Sequence, residues 1–187
     1  MSFALYELAL NPDIQDKLAE EIRDSISEHD DKITYDSLQE MKYLDKVVSE
    51  TLRKYPPTGN LFRQCTKQYK IPGTNVVLDK QSRVFISVHA IHRDPKYYPN
   101  PDKFDPERFT PEEKAKRHPM TYMPFGEGPR MCIGSRFGLL EVKLGLATLL
   151  KRYRFEVCDR TIIPPKFDPR AFTASLKGGV WLRIKER

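Results

Sequence analysis

Cys132 stands at the end of a loop with an unusual composition. The run Pro124-Phe-Gly-Glu-Gly-Pro-Arg-Met-Cys-Ile-Gly134 places glycines at 126, 128 and 134 and delivers the cysteine to the start of a helix-forming stretch, Ile133 to Lys151. Glycines permit unusual backbone dihedrals and close approach to a flat or bulky group. A cysteine at a helix N-terminus faces unpaired N–H groups and the positive end of the helix dipole, which together favour the thiolate. The pattern describes a soft, anionic metal ligand or a thiolate nucleophile. A lone cysteine is more often a small buried hydrophobe, and Cys65 and Cys158 fit that plainer description; a packing cysteine needs no such loop.

Charge is paired at a second place. Glu50 and Arg53 lie three residues apart, and positions so spaced meet on one helix face. In isolation such a pair is a surface salt bridge worth less than about 1 kcal/mol. Arg108, in Pro106-Glu-Arg-Phe109, supplies another guanidinium, and two arginines can satisfy one buried carboxylate. On the residues alone, the surface pair is the expected reading for Glu50 and Arg53. His29, His89 and His118 show no metal-like pairing and are expected to be structural or solvated.

These residues must be held by the elements around them. Phe3, Tyr6 and Leu10 recur at helical spacing, so the chain is expected to begin inside a helix. Asn11-Pro12 breaks it and opens a second helix with the stripe Ile14, Leu18, Ile22 and Ile26. A third carries Leu44, Val47, Val48, Thr51, Leu52 and Tyr55, and Pro56-Pro57 ends it, because proline disfavours helical dihedrals in the residue before it. From Leu61 to Val88, short β-rich runs (Val76 to Leu78, Arg83 to Val88) predict one small, mostly antiparallel sheet.

From Pro95 to Pro129 the chain holds seven further prolines, at 99, 101, 106, 111, 119, 124 and 129, which predict a long irregular meander. Ile133 to Lys151 has apolar residues on nearly every side and is expected to be a mostly buried helix. Arg154 to Cys158 and Val180 to Ile184 read as strands. The fold class is mainly α with small antiparallel β-sheets (α+β), and no internal repeat is visible.

The 187 residues suit one domain or part of a larger one. A 39% hydrophobic and 31% charged composition belongs to a globular chain. The +6 charge arises from 32 basic and 26 acidic residues that are interleaved, without a basic-aromatic stripe, which argues for a solvated surface and against nucleic acid. No stretch approaches the roughly 18 apolar residues of a membrane span, and no signal peptide is visible. Three widely spaced cysteines without a C-x-x-C pair argue against a disulfide framework and suit a reducing compartment.

The cysteine loop resembles the haem-ligand signature of the cytochromes P-450, F-x-x-G-x-x-x-C-x-G, in Phe125, Gly128, Cys132 and Gly134, with Arg130 at the position where the family often has a basic residue. Glu50-Thr-Leu-Arg53 resembles the family's E-x-x-R, and Pro106-Glu-Arg-Phe109 its meander motif, which completes a Glu-Arg-Arg cluster; with the cysteine loop in the expected order, the resemblance implies that Glu50, Arg53 and Arg108 form a buried structural lock. Phe3-Ala-Leu-Tyr-Glu-Leu-Ala9 and the Gly-Glu-Gly-Pro-Arg loop are most similar to insect microsomal members of family six.

The resemblance implies the C-terminal haem-binding part of the P-450 fold: residues 1–55 as the end of the distal helix and the proximal helices, 60–93 as the sheet region, 94–131 as meander and cysteine loop, 133–151 as the buried helix, and 154–187 as terminal strands. It implies haem b with Cys132 as the iron's axial ligand, and Phe125, Gly126, Arg130, Ile133, Gly134, Arg63 and His92 as haem contacts, the two arginines and the histidine at the propionates. For His92 a satisfied structural histidine is an equal alternative. Two loops, Thr58, Gly59, Asn60, Leu61 and Phe62, and Phe172, Thr173, Ala174, Ser175 and Leu176, are placed over the haem as substrate contacts.

The activity implied is a monooxygenase that inserts one atom of dioxygen into an apolar small molecule, with NADPH electrons arriving through NADPH-cytochrome P-450 reductase. The location implied is the cytosolic face of the endoplasmic reticulum membrane. The family's distal-helix acid-alcohol pair and its N-terminal anchor are expected upstream of Met1. That leaves a haem-binding but catalytically inactive truncated fragment as the alternative. A cysteine-nucleophile enzyme of the phosphatase kind fits poorly: its phosphate loop follows the cysteine and ends on an arginine six positions later, whereas here the glycines precede Cys132 and position 138 is glycine.

Overall fold

The computed structural model describes residues 1–187. Helix α1 (Ser2–Leu10) stops at Asn11, whose N–H donates to the carbonyls of Glu7 and Leu8. Pro12, with no N–H to lose, opens α2 (Pro12–Ser27). Leu18, Ile22 and Ile26 of its stripe are buried and Ile14 half-buried, as the spacing predicts.

A short helix absent from the sequence reading follows, α3 (Tyr35–Glu40). It rests on a reciprocal cap in which Thr34 Oγ1 accepts from the Ser37 N–H (3.1 Å) and Ser37 Oγ from the Thr34 N–H (2.9 Å). Helix α4 (Lys42–Lys54) is capped from a distance: the Glu21 carboxylate of α2 accepts from the N–H groups of Tyr43 (2.6 Å) and Leu44 (2.8 Å). It ends at Tyr55, ahead of the two prolines.

The expected single sheet is two separate antiparallel ladders. Strand β1 (Asn60–Gln64) pairs with β4 (Arg83–Ser87), placing Phe62 opposite Phe85, while β2 (Tyr69–Lys70) pairs with β3 (Val77–Leu78) around a turn at Gly73. The strand expected to run to Val88 ends one residue earlier, because Ser87 Oγ accepts from the Ala90 N–H and starts α5 (Val88–His92). The meander contains α6 (Pro111–Ala115) and two 3-10 turns, Pro106–Phe109 and Pro119–Thr121, each beginning on a proline. Helix α7 (Ser135–Arg152) leads into β5 (Tyr153–Val157), which pairs with β6 (Leu182–Glu186).

The core lies where α1, α2, α4, α7 and β5 meet, around Leu8, Leu18, Ile22, Leu44, Val47, Leu146, Leu150 and Phe155. Burial of each such side chain contributes about 1.5–3 kcal/mol. Gln15 ties α2 to β5 from inside this core, donating to the Leu8 and Phe155 carbonyls (both 2.9 Å) and accepting from the Phe155 N–H (2.8 Å).

The expectation of a mostly buried final helix is corrected. Helix α7 buries Leu146, Ala147 and Leu150, but Phe137 and Leu144 are exposed, as is Ile133 just before it. Apolar residues on every side predict that something covers each side, and α2, α3, α4 and β5 cover only part. No helix is long and apolar enough to cross a membrane.

Candidate functional site

The cysteine loop folds back on itself. The Cys132 N–H donates to the Phe125 carbonyl (2.9 Å), Met131 N–H to Gly128 (3.0 Å) and Gly126 N–H to Met123 (3.1 Å). Gly126 (φ +76°) and Gly128 (φ +80°) occupy the left-handed region, where a side chain is strained. Cys132 comes out exposed, and its carbonyl accepts the Ser135 N–H (3.3 Å). The helix begins at Ser135 with Gly134 as its cap, two residues later than expected, so Cys132 precedes the first turn. Strand β1 backs the loop: a Cβ placed on Gly126 would lie 3.7 Å from Leu61. Arg63, two residues along, shares the face of Leu61.

Behind the loop lies a charged lock. Arg53 donates to Glu50 twice, Nε to Oε2 (2.7 Å) and Nη2 to Oε1 (2.9 Å), with both side chains 0% exposed. Glu50 Oε1 also accepts the Asp105 N–H (2.9 Å), and Arg108 Nε lies 3.5 Å from it without a hydrogen bond of its own. Arg53 further donates to the carbonyls of His92 (2.9 Å) and Pro101 (2.7 Å), and Arg108 to that of Asn100 (2.9 Å). The cluster therefore pins α4 to α5 and to the meander. Burial pushes the Glu50 carboxyl above the ordinary carboxylate range against the opposing pull of Arg53 and Arg108.

The donor chemistry fits a metal carried by a macrocycle. No three His, Cys, Asp or Glu side chains cluster as a metal site, so an ion at Cys132 would take one sulfur from the chain and need its other donors from a bound group. Ile133 beside the sulfur is exposed, as are Met131 and the β1 residue Phe62, which suits a flat apolar group. Arg63 and Arg130 are exposed without a carboxylate partner, which suits a group bearing acids. The cytochrome P450 family model matches residues 1–181. The chain belongs to the cytochrome P-450 family.

It is 55% identical over 99% of its length to probable cytochrome P-450 6a13 of Drosophila melanogaster, 48% identical over its whole length to cytochrome P-450 9e2 of Blattella germanica, and 47% identical over its whole length to cytochrome P-450 6B7 of Helicoverpa armigera. It spans 38%, 35% and 37% of those relatives. The resemblance to insect members of family six is thereby borne out.

Within this P-450 chain, the two loops expected over the haem come together at one end, for the Ala174 N–H donates to the carbonyl of Pro57, the residue before Thr58 (3.0 Å). Thr58, Gly59 and Leu61 are half-buried, Asn60 and Phe62 exposed; Thr173 and Ser175 are exposed, Ala174 and Leu176 half-buried, and Phe172 is 90% exposed. His92 stands elsewhere. It is fully buried, with Nδ1 3.2 Å from the Arg53 carbonyl and Nε2 accepting the Met123 N–H (3.0 Å), so neither ring nitrogen is free for a propionate. Its geometry is that of the structural alternative, and its 31-residue separation from Met123 left no local signal. Asp105, whose N–H reaches Glu50, was also missed; its signal was Asp105-Pro106, a cap before a helical proline.

Proposed function

We propose that the protein is a haem-thiolate monooxygenase: it inserts one atom of dioxygen into an apolar small molecule, with NADPH electrons delivered by NADPH-cytochrome P-450 reductase at the cytosolic face of the endoplasmic reticulum membrane. The observation that carries this reading is the exposed Cys132 sulfur at the end of a loop bent by Gly126 and Gly128, in a chain of the P-450 family. Bound haem b supplies the reductive activation of dioxygen.

The chain's own part is to hold and orient. Cys132 would hold the iron through its sulfur, as an electron-donating ligand. Phe125, Gly126, Ile133 and Gly134 would face the macrocycle, and Arg63 and Arg130 would neutralise its propionates, arginine's planar fork matching a carboxylate in two places. The linked loops at Thr58–Phe62 and Phe172–Leu176 meet the substrate with mostly small and apolar groups. Glu50, Arg53 and Arg108 keep the meander in place so that the cysteine loop has a fixed origin.

The test is oxygenated product from an apolar substrate panel, with full-length protein, reductase, NADPH and oxygen. Product that depends on Cys132 supports the reading; equal product from Cys132→Ala contradicts it.

A further inference from the structure

His92 lies between the Glu50–Arg53 pair and the cysteine loop. A backbone N–H can only donate, so the Nε2 atom that receives the Met123 N–H (3.0 Å) bears no proton. The ring's one proton is therefore on Nδ1, facing the Arg53 carbonyl at 3.2 Å, and Arg53 Nη1 returns a bond to the His92 carbonyl (2.9 Å). Tyr122 stacks on the ring at 5.4 Å and anchors itself by donating to the Ser49 carbonyl (3.2 Å), while Tyr98 meets the ring edge-on at 6.4 Å. Beyond Met123 the bonds continue into the loop, from Gly126 N–H to the Met123 carbonyl and from Cys132 N–H to the Phe125 carbonyl. A hydrogen-bonded path from the lock to the cysteine thus passes through a single imidazole.

We infer that His92 is a positioning residue for Cys132: its Nδ1–H tautomer, fixed by the Arg53 carbonyl, holds the Met123 amide and so sets where the loop presents its sulfur to the haem. The inference rests on Cys132 being the haem ligand. Met123 is buried, and its N–H has no other partner, so loss of the Nε2 acceptor leaves a buried donor unpaired at the root of the loop.

Two measurements on the full-length protein test this. Ring ¹⁵N spectra of the unsubstituted protein are expected to show His92 protonated on Nδ1 and bare on Nε2; the opposite tautomer overturns the inference. Among variants, His92→Gln keeps an acceptor near the Nε2 position, whereas His92→Phe keeps only the stacking on Tyr122. In haem-free protein, His92→Phe is expected to speed amide exchange at Met123 and Cys132 roughly tenfold to a hundredfold, as loss of a buried hydrogen bond implies. In haem-loaded protein it is expected to lose most of the red-shifted ferrous carbonyl band, with His92→Gln restoring much of both. Native exchange in His92→Phe, or equal losses in the two variants, contradicts the inference. Survival of the band in Cys132→Ala would instead defeat the ligand assignment, so the two failures are distinguishable.

Discussion

Arg53 grips Glu50 through two hydrogen bonds of 2.7 and 2.9 Å with no solvent exposure on either side chain. The pair is reinforced by the Asp105 N–H and by Arg108 at 3.5 Å. Such a pair contributes little net stability over an apolar core, but loss of one member strands the other charge, at a cost of roughly 3–5 kcal/mol. Glu50→Gln is expected to fall in that range. Arg108→Leu is expected to cost less, because its Nε makes no hydrogen bond. A double-mutant cycle followed by denaturant unfolding should give a coupling energy above about 0.5 kcal/mol; additive effects would return Arg108 to the ordinary surface pairs.

Acid sensitivity is expected to centre on His92. Burial pushes its imidazole from 6.5 down to about 4 against the opposing hydrogen bonds to the backbone of Arg53 and Leu52, and the Arg53 guanidinium from α4 and His89 on α5 add to the downward direction, with the rings of Tyr98 and Tyr122 packed nearby. A depressed pKa stabilises the fold fully above about pH 6.5, and this stabilisation is lost as pH falls toward about 4, where the unfolded chain takes up the proton that the fold refuses. The loss amounts to at most about 3 kcal/mol. Glu50, shifted upward, contributes the opposite slope but is common to both proteins, so the difference between unsubstituted protein and His92→Gln isolates the histidine. A stability difference that does not vary with pH between 4 and 7 would contradict this account.

Gly126→Ala and Gly128→Ala are each expected to cost about 1–2 kcal/mol from backbone conformation alone. The added methyl has room: Leu61 lies 3.7 Å away at Gly126, and nothing lies within 4 Å at Gly128. Gly134 has φ −85° and a Cβ there would sit 4.0 Å from the Cys132 sulfur, so Gly134→Ala should leave stability nearly unchanged. Thermal unfolding of the three variants separates backbone strain from crowding.

How much of this was legible in the sequence depended on the range of the interaction. The stripes of α2 and α4, the break at Asn11-Pro12 and the loop around Cys132 are local patterns, and they appear in the structure close to where they were read. Helix α3 was missed because its capping box uses Ser37 where Glu or Gln is usual, over only six residues. The Glu21 cap of α4 joins residues 22 and 23 apart, and the His92 tether 31 apart, which no local pattern encodes. The exposed side of α7 was illegible for a different reason: periodicity reports which faces are apolar, not which are covered.

These 187 residues produced by themselves are expected to retain haem weakly and to form no product with reductase and NADPH. Ile133 is fully exposed and Phe172 90% exposed, and Phe137 and Leu144 add to the apolar surface, which favours association over a closed haem site. Light scattering and product assays, set against Cys132→Ala, check this; sustained Cys132-dependent turnover by a monomer would contradict it.

The central claim is that Cys132 holds haem iron through its sulfur. The most direct measurement is the absorption spectrum of the reduced carbonyl complex in the haem-loaded, full-length protein, compared among Cys132→Ala, Cys65→Ala and Cys158→Ala. The account predicts a red-shifted Soret band that survives replacement of Cys65 or Cys158 and disappears with Cys132. A band that persists in Cys132→Ala and is lost with either of the other two cysteines would contradict it.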